Sequence, residues 1–137
     1  MFDYKSIIEN IDWNKNNGLV PVIIQDLDGT VLTLGYMNKE ALNKTLETNL
    51  VHYYSRSKNR IRMKGETSGN YQKVKETYID CDNDTLLIKV EQIGAACHLG
   101  TKSCFRKIEE IEQLPESTVD YSLDFLNELK ETIKDRK

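Results

Sequence analysis

The sequence is short of the residues that staple or restrict a chain. It has two prolines, one tryptophan, two histidines and three cysteines in 137 residues. An odd number of cysteines fits a disulfide scaffold poorly, so reduced thiols in a cytoplasmic setting, available to a metal, are the expectation. No apolar run is long enough to span a bilayer. Met1-Phe2-Asp3-Tyr4-Lys5 lacks the basic start and apolar stretch of a secretory leader. Positive charge is not in excess either. Lys and Arg number 19 against 22 Asp and Glu, a formal net charge of −3, which argues against broad binding to nucleic acid or to anionic membranes. Internal repeats and low-complexity segments are absent. What is present is 39% hydrophobic and 30% charged, a polar chain long enough for one domain with a real core.

Ile7, Ile8 and Ile11 give residues 4–11 a short helical pattern. Residues 19–25, Leu-Val-Pro-Val-Ile-Ile-Gln, read as a strand so continuously apolar that both faces are expected to be covered. Asp28-Gly29 is a tight-turn signal, because such turns need a positive φ that Gly accepts cheaply, and residues 31–36 are the partner strand. Asn38 is placed to cap a helix over residues 39–48 that turns Ala41, Leu42, Thr45 and Leu46 inward, with Asn49 as its stop. Residues 50–55 form a third strand. Residues 56–70 have no periodic apolar pattern and are read mostly as loop. Residues 71–80 and 85–92 are two further strands, 94–104 a loop, and 105–108 a last short strand. This is the pattern of an α+β fold with a largely antiparallel sheet and a few short helices. Residues 1–110 are taken as the domain. Residues 111–137 are taken as an acidic linker with Pro115, then a helix with Leu123, Leu126, Leu129 and Ile133 at helical spacing.

Chemistry concentrates in Asp80-Cys81-Asp82-Asn83-Asp84. On an extended chain side chains alternate, so Asp80, Asp82 and Asp84 share one side and Cys81 faces the other. Carboxylates suit a hard cation such as Mg²⁺, and a thiolate suits Zn²⁺. A bare acidic triplet is as often a polar turn. An EF-hand is excluded, because Thr85 stands where that loop needs Gly and the flanks read as strands. Cys97 and Cys104 lie in a polar, Gly-flanked loop with His98, Lys102 and Ser103, poor surroundings for inert core thiols. Three thiolates leave a fourth tetrahedral position open, as in a catalytic zinc site. A closed Cys₃His site with His98 is the alternative. Adjacent residues rarely reach one metal, so His98 is read as a proton carrier. The only concentrated basic stretch holds Arg56, Arg60, Arg62 and Lys64. With Gly65, Glu66, Thr67, Ser68 and Gly69 it makes a reasonable phosphate clamp of point charges and backbone N–H groups. Few aromatics interleave with these charges, which counts against RNA.

These segments, Arg56-Ser57-Lys58, Lys64-Gly65-Glu66-Thr67-Ser68-Gly69, the acidic segment, Gly94-Ala95-Ala96-Cys97-His98 and Ser103-Cys104-Phe105, resemble the phosphoribosyl-AMP cyclohydrolase family of histidine biosynthesis. Upstream, Leu19-Val20-Pro21, Asp28-Gly29, Tyr36-Met37-Asn38 and Glu40-Ala41-Leu42 extend the resemblance, which covers about residues 18 to 108 in order. Tyr54 and Met63 stand where tryptophans are frequent in that family. The resemblance implies hydrolytic opening of the adenine ring of N1-(phosphoribosyl)-AMP at the N1–C6 bond. It implies Cys81, Cys97 and Cys104 as zinc ligands and Asp80, Asp82 and Asp84 as Mg²⁺ ligands. It also implies an intertwined homodimer with zinc shared across the interface and metal sites in loops at strand ends. A zinc that lowers the pKa of water meets the main chemical need. His98 is then the candidate general acid/base, with Glu66 or His52 next in line, although His52 on a strand among aromatics reads equally as structural. Mg²⁺ and the residue 56–69 loop divide the two substrate phosphates.

The tail from Tyr121 resembles the opening of a phosphoribosyl-ATP pyrophosphohydrolase domain, and without that domain's remaining helices its activity is not expected of these residues. Two other classes remain open at this point. A zinc-stabilised binding module would lose its fold with its metal and show no turnover. A Mg²⁺-dependent nucleotide phosphatase would work without zinc and release phosphate. Neither accounts for three cysteines and the Lys64 to Gly69 loop occurring together.

Overall fold

The computed structural model describes residues 4–113. They belong to two units, one running to Phe105 and one starting at Arg106. Within the first, the order is α1 (Tyr4–Asn10), β1 (Val20–Asp26), β2 (Val31–Met37), α2 (Lys39–Thr48), β3 (His52–Ser55), β4 (Arg60–Met63), β5 (Gln72–Ile79) and β6 (Leu86–Gln92). Four strands form one sheet in the order β2-β1-β6-β5, and β3 pairs with β4 in a separate hairpin. All pairings are antiparallel except β1 with β6, which run parallel. The α+β class and its antiparallel bias are therefore as the strand pattern implies, with one parallel pairing at the centre.

One face of the large sheet carries the core. Val20, Val22, Ile24, Ile88 and Val90 are fully or almost fully buried there, with Leu32, Met37, Ala41, Leu42 and Val51 packed among them. Each of the Val, Leu, Ile and Met side chains contributes roughly 1.5–3 kcal/mol by leaving water. The opposite face is different from expectation. Pro21 and Ile23 are apolar but only half-buried, so β1 alternates in burial although not in composition.

The β1–β2 turn is stopped by Gly29 at φ 95, with Gly29 N–H donating to Asp26 O and Asp26 N–H to Thr30 O. Helix α2 begins where Asn38 Oδ1 accepts from Ala41 N–H at 2.8 Å and ends at Asn49 in the left-handed region. Thr45 is buried on its inner face. It donates to Ala41 O at 2.8 Å and accepts from His52 N–H at 2.9 Å, which ties α2 to β3.

Two expected elements differ. Residues 60–63, read as loop, form strand β4, because Ile61 and Met63 alternate with Arg60 and Arg62 and the backbone pairs residue for residue with β3. Only two of those four residues are apolar, which is too little for a sequence pattern to register. Residues 105–108 do not form a strand. Cys104 N–H reaches Leu32 O at 2.7 Å, but no ladder follows, and Ile108–Gln113 is a 3-10 helix where an acidic linker is expected. The expected helix with Leu123 to Ile133 lies outside the described residues.

Candidate functional site

The candidate residues collect at two opposite ends of the large sheet. At one end the turn between β5 and β6 carries the acidic segment. It is not extended. Asn83 N–H donates to Asp80 O, Asp80 N–H to Thr85 O and Asp84 N–H to Asp80 Oδ1, with Asn83 at φ 58. The expected alternation of Asp and Cys along a strand is therefore incorrect. The turn nonetheless brings one oxygen each of Asp80, Asp82 and Asp84 within 4.8 Å of one another, the one group of three potential ligands among the described residues. Three close carboxylates match the oxygen donors a hard divalent cation takes. A cation of the chain itself already touches this turn, for Lys15 Nζ lies 2.5 Å from Asp84 Oδ2. That ammonium holds the Asp84 carboxyl below its usual range against the opposing effect of burial.

At the other end, past the last residue of β6, Cys97 and Cys104 meet. The Cys104 thiol is within hydrogen-bonding reach of Cys97 and of the Thr33 hydroxyl. Burial pushes its pKa up, the neighbouring Cys97 adds to this, and Thr33 and the Lys64 ammonium oppose it. No cysteine is in a disulfide. Two facing thiols are a soft-metal donor pair, half of a tetrahedral set.

The loop that carries this pair is built tightly. Gly100 N–H donates to Cys97 O, Cys97 N–H to Thr101 O and Ser103 Oγ to Val31 O. Lys102 pins the loop to the β1–β2 hairpin, reaching Asp28 and, at 3.2 Å, Asp26. Cys81, exposed in the acidic turn, stands at the far end of β6 from this pair. A seven-residue strand spans roughly 20 Å, so one chain cannot bring all three thiols to one ion.

Beside the thiol pair is a cleft of about 420 Å³ whose lining includes Arg62, Lys64, Gly65, Glu66, Thr67 and Ser68, with His98 and Tyr53 also on its wall. Most of the expected substrate residues are thus together, and His98 is with them. Gly65, at φ 88, packs where a Cβ would fall 2.6 Å from the Asn70 backbone, so this corner needs glycine. Gly69 closes the loop through its N–H to Gly65 O. Lys64 crosses to the cysteine loop and donates to Ala96 O at 2.6 Å. Arg62 and Arg60 both bond Glu66 Oε1, at 3.1 and 3.3 Å, and the Arg62 contact draws the Glu66 carboxyl below its usual range.

Arg56 is elsewhere. It sits in the β3–β4 turn, its guanidinium 4.0 Å from the Tyr36 ring centre, in a separate hollow with Tyr54 and Asn59. Tyr53 and Tyr54 point to opposite faces of the hairpin, and Arg56 goes with Tyr54. His52 lies outside the cleft lining, with Nδ1 2.8 Å from Leu50 O.

Tyr53 was not legible as a site residue. Its hydroxyl donates to Gln72 Oε1 at 2.5 Å, and the buried Gln72 in turn donates to Gln92 Oε1 at 2.8 Å. Desolvation, with the nearby Cys104 second, raises the phenol pKa far above its ordinary value.

Residues 33–106 match the family model described as phosphoribosyl-AMP cyclohydrolase. The histidine biosynthesis bifunctional protein HisIE of Pyrococcus furiosus is 62% identical over 137 residues, covering 98% of this chain and 64% of that protein. The HisIE of Photobacterium profundum is 50% identical over 133 residues, covering 96% and 62%. A Clostridium botulinum protein named phosphoribosyl-AMP cyclohydrolase is 58% identical over 102 residues, covering 74% of this chain and 93% of that protein. The chain thus spans a little under two thirds of the length of these bifunctional relatives.

Proposed function

The chain belongs to the phosphoribosyl-AMP cyclohydrolase family, and from that membership we propose that it opens the adenine ring of phosphoribosyl-AMP by hydrolysis at N1–C6 in histidine biosynthesis. The observation that carries the reading is the shared cleft of His98 with the Lys64 to Ser68 loop, next to the Cys97–Cys104 pair.

Cys97 and Cys104 hold zinc together with Cys81 of a second copy, and Asp80, Asp82 and Asp84 hold Mg²⁺. Bound there, zinc supplies the Lewis acidity that makes water nucleophilic near neutral pH. The chain's own residues do the rest. Lys64 sets positive charge between cleft and thiols. The N–H groups of Lys64, Glu66 and Gly69 already donate to Val51 O, Met63 O and Gly65 O; a substrate phosphate is met by the Thr67 and Ser68 hydroxyls and by the cations. His98 moves the proton between water and the leaving ring nitrogen.

Two observations support a homodimer. The thiols are divided between opposite sheet ends. Leu34, Ile23, Leu87 and Tyr78 are cross-strand partners in one row over the outer sheet face, and Leu34 and Tyr78 are 47% and 44% exposed. Two copies packed through this face with strands opposed bring one copy's acidic turn to the other's thiol pair.

The experiment is an ultraviolet assay with phosphoribosyl-AMP on protein stripped with a zinc chelator and then reloaded. Turnover that vanishes and returns with Zn²⁺ is expected. Folded, zinc-loaded protein without turnover would leave the binding-module reading in its place.

A further inference from the structure

We propose that Lys15 is a tethered counter-ion of the Asp80, Asp82 and Asp84 turn, one that competes with a divalent cation and so sets how tightly the turn binds metal. The inference rests on the reading that this turn takes a divalent cation, and it adds a residue from a distant part of the chain to that site.

Lys15 is not a loose surface lysine that happens to lie nearby. Its side chain is half-exposed, but the segment that presents it is fixed at both ends by hydrogen bonds. Trp13 N–H donates to Ile11 O, Gly18 N–H to Trp13 O at 2.6 Å and Leu19 N–H to Asn16 O. The Trp13 indole donates to Ile8 O at 2.9 Å, and Ile11 is buried in the core. The segment is also fastened to the acidic turn by the backbone, where Asp12 N–H donates to Asn83 O at 2.8 Å. Lys15 Nζ is therefore delivered to Asp84 by two anchored loops, and it meets Asp84 Oδ2 at 2.5 Å. The Asp84 side chain is only 15% exposed, which limits the water available to replace the ammonium.

Asp84 makes the direct contact with the ammonium, and Asp82 and Asp12 add attraction from farther away. A metal ion at the three carboxylates takes an oxygen that Lys15 now uses, or shares it with a positive neighbour a few ångströms away. Two positive charges at about 5 Å repel even in high dielectric. Before screening this corresponds to about tenfold in affinity for a divalent ion, and salt reduces it to several-fold. Without the lysine, the three carboxylates repel one another until metal arrives.

The test uses the full chain, Lys15→Met and Asp82→Asn, with Mg²⁺ titrated calorimetrically and Mn²⁺ followed by its spin resonance. Lys15→Met is expected to bind both ions roughly threefold to tenfold more tightly than the parent, and Asp82→Asn to lose binding. The Mg²⁺-dependent rise in melting temperature is expected to be larger in Lys15→Met, because the metal there replaces a missing counter-ion. Equal or weaker ion binding by a folded Lys15→Met, with the parent binding normally, overturns this inference alone. No Asp82-dependent binding in either the parent or Lys15→Met overturns the metal reading of the turn and this inference with it.

Discussion

Gly35→Ala tests whether the site is built on the packing described. Gly35 lies in β2 opposite Val22, and Tyr53 of β3 covers it. A Cβ at this position falls 2.5 Å from Tyr53 Cδ1 and 2.6 Å from Cε1, closer than unbonded carbons approach. Gly35 is not among the residues of positive φ, so alanine brings no backbone strain. Relief of glycine's entropy cost alone would stabilise the strand by roughly 0.5–1 kcal/mol. The ring cannot yield freely, because its hydroxyl is held by Gln72 at 2.5 Å. Overpacking of this kind costs about 1–3 kcal/mol, so the net expectation is a loss of ~1–2 kcal/mol, or roughly 5 °C in Tm. Urea unfolding measures it. Tyr53→Leu in the same chain should remove most of the penalty, giving a coupling of ~1 kcal/mol or more in a double-mutant cycle. KM should rise, since Tyr53 also lines the cleft. A Gly35→Ala protein as stable as the parent, or more stable, would refute the reasoning.

Other consequences follow from the ion pairs. Glu66→Gln releases Arg60 and Arg62 from the carboxylate they share, so inorganic phosphate should bind to the cleft several-fold more tightly. Weaker binding in a calorimetric titration would contradict this. The Lys102 ammonium, with Thr30, holds the Asp28 carboxyl well below the usual carboxylate range. A carboxyl depressed in the folded state contributes stability above its unfolded pKa near 3.9, and that contribution is lost as pH falls through the folded value. Lys102→Met should therefore flatten the fall of Tm below about pH 4, and a profile as steep as the parent's would count against the pairing.

Helix α2 was legible in full because its signals are local. Asn38, the inward set Ala41, Leu42 and Thr45, and the left-handed Asn49 all act within one turn of where they stand. Strand β4 was not, since its pairing comes from His52 to Ser55 and only Ile61 and Met63 mark it. The acidic triplet was right as a cluster and wrong in its reason. Alternation along a strand was expected, whereas Asn83 at positive φ curls the turn so that three carboxylates converge. The loop of Lys64 to Ser68 with His98 could be read as a site because its residue types are unusual together. Adjacency in sequence groups Arg56 with it, but a hairpin sends neighbours to opposite faces. Tyr53, Gln72 and Lys15 carried no signal, because each acts through partners 19 to 69 residues away.

The most direct measurement mixes two inactive variants. If a zinc site takes Cys81 from one copy and Cys97 and Cys104 from the other, Cys81→Ser and Cys104→Ser are each dead alone. Half of a randomly re-formed mixture is heterodimer, and in each heterodimer one of the two sites has all three thiols. Unfolding and refolding the variants together should restore about a quarter of the parent turnover of phosphoribosyl-AMP. A mixture as inactive as its components, with heterodimers shown to form, would contradict the shared site.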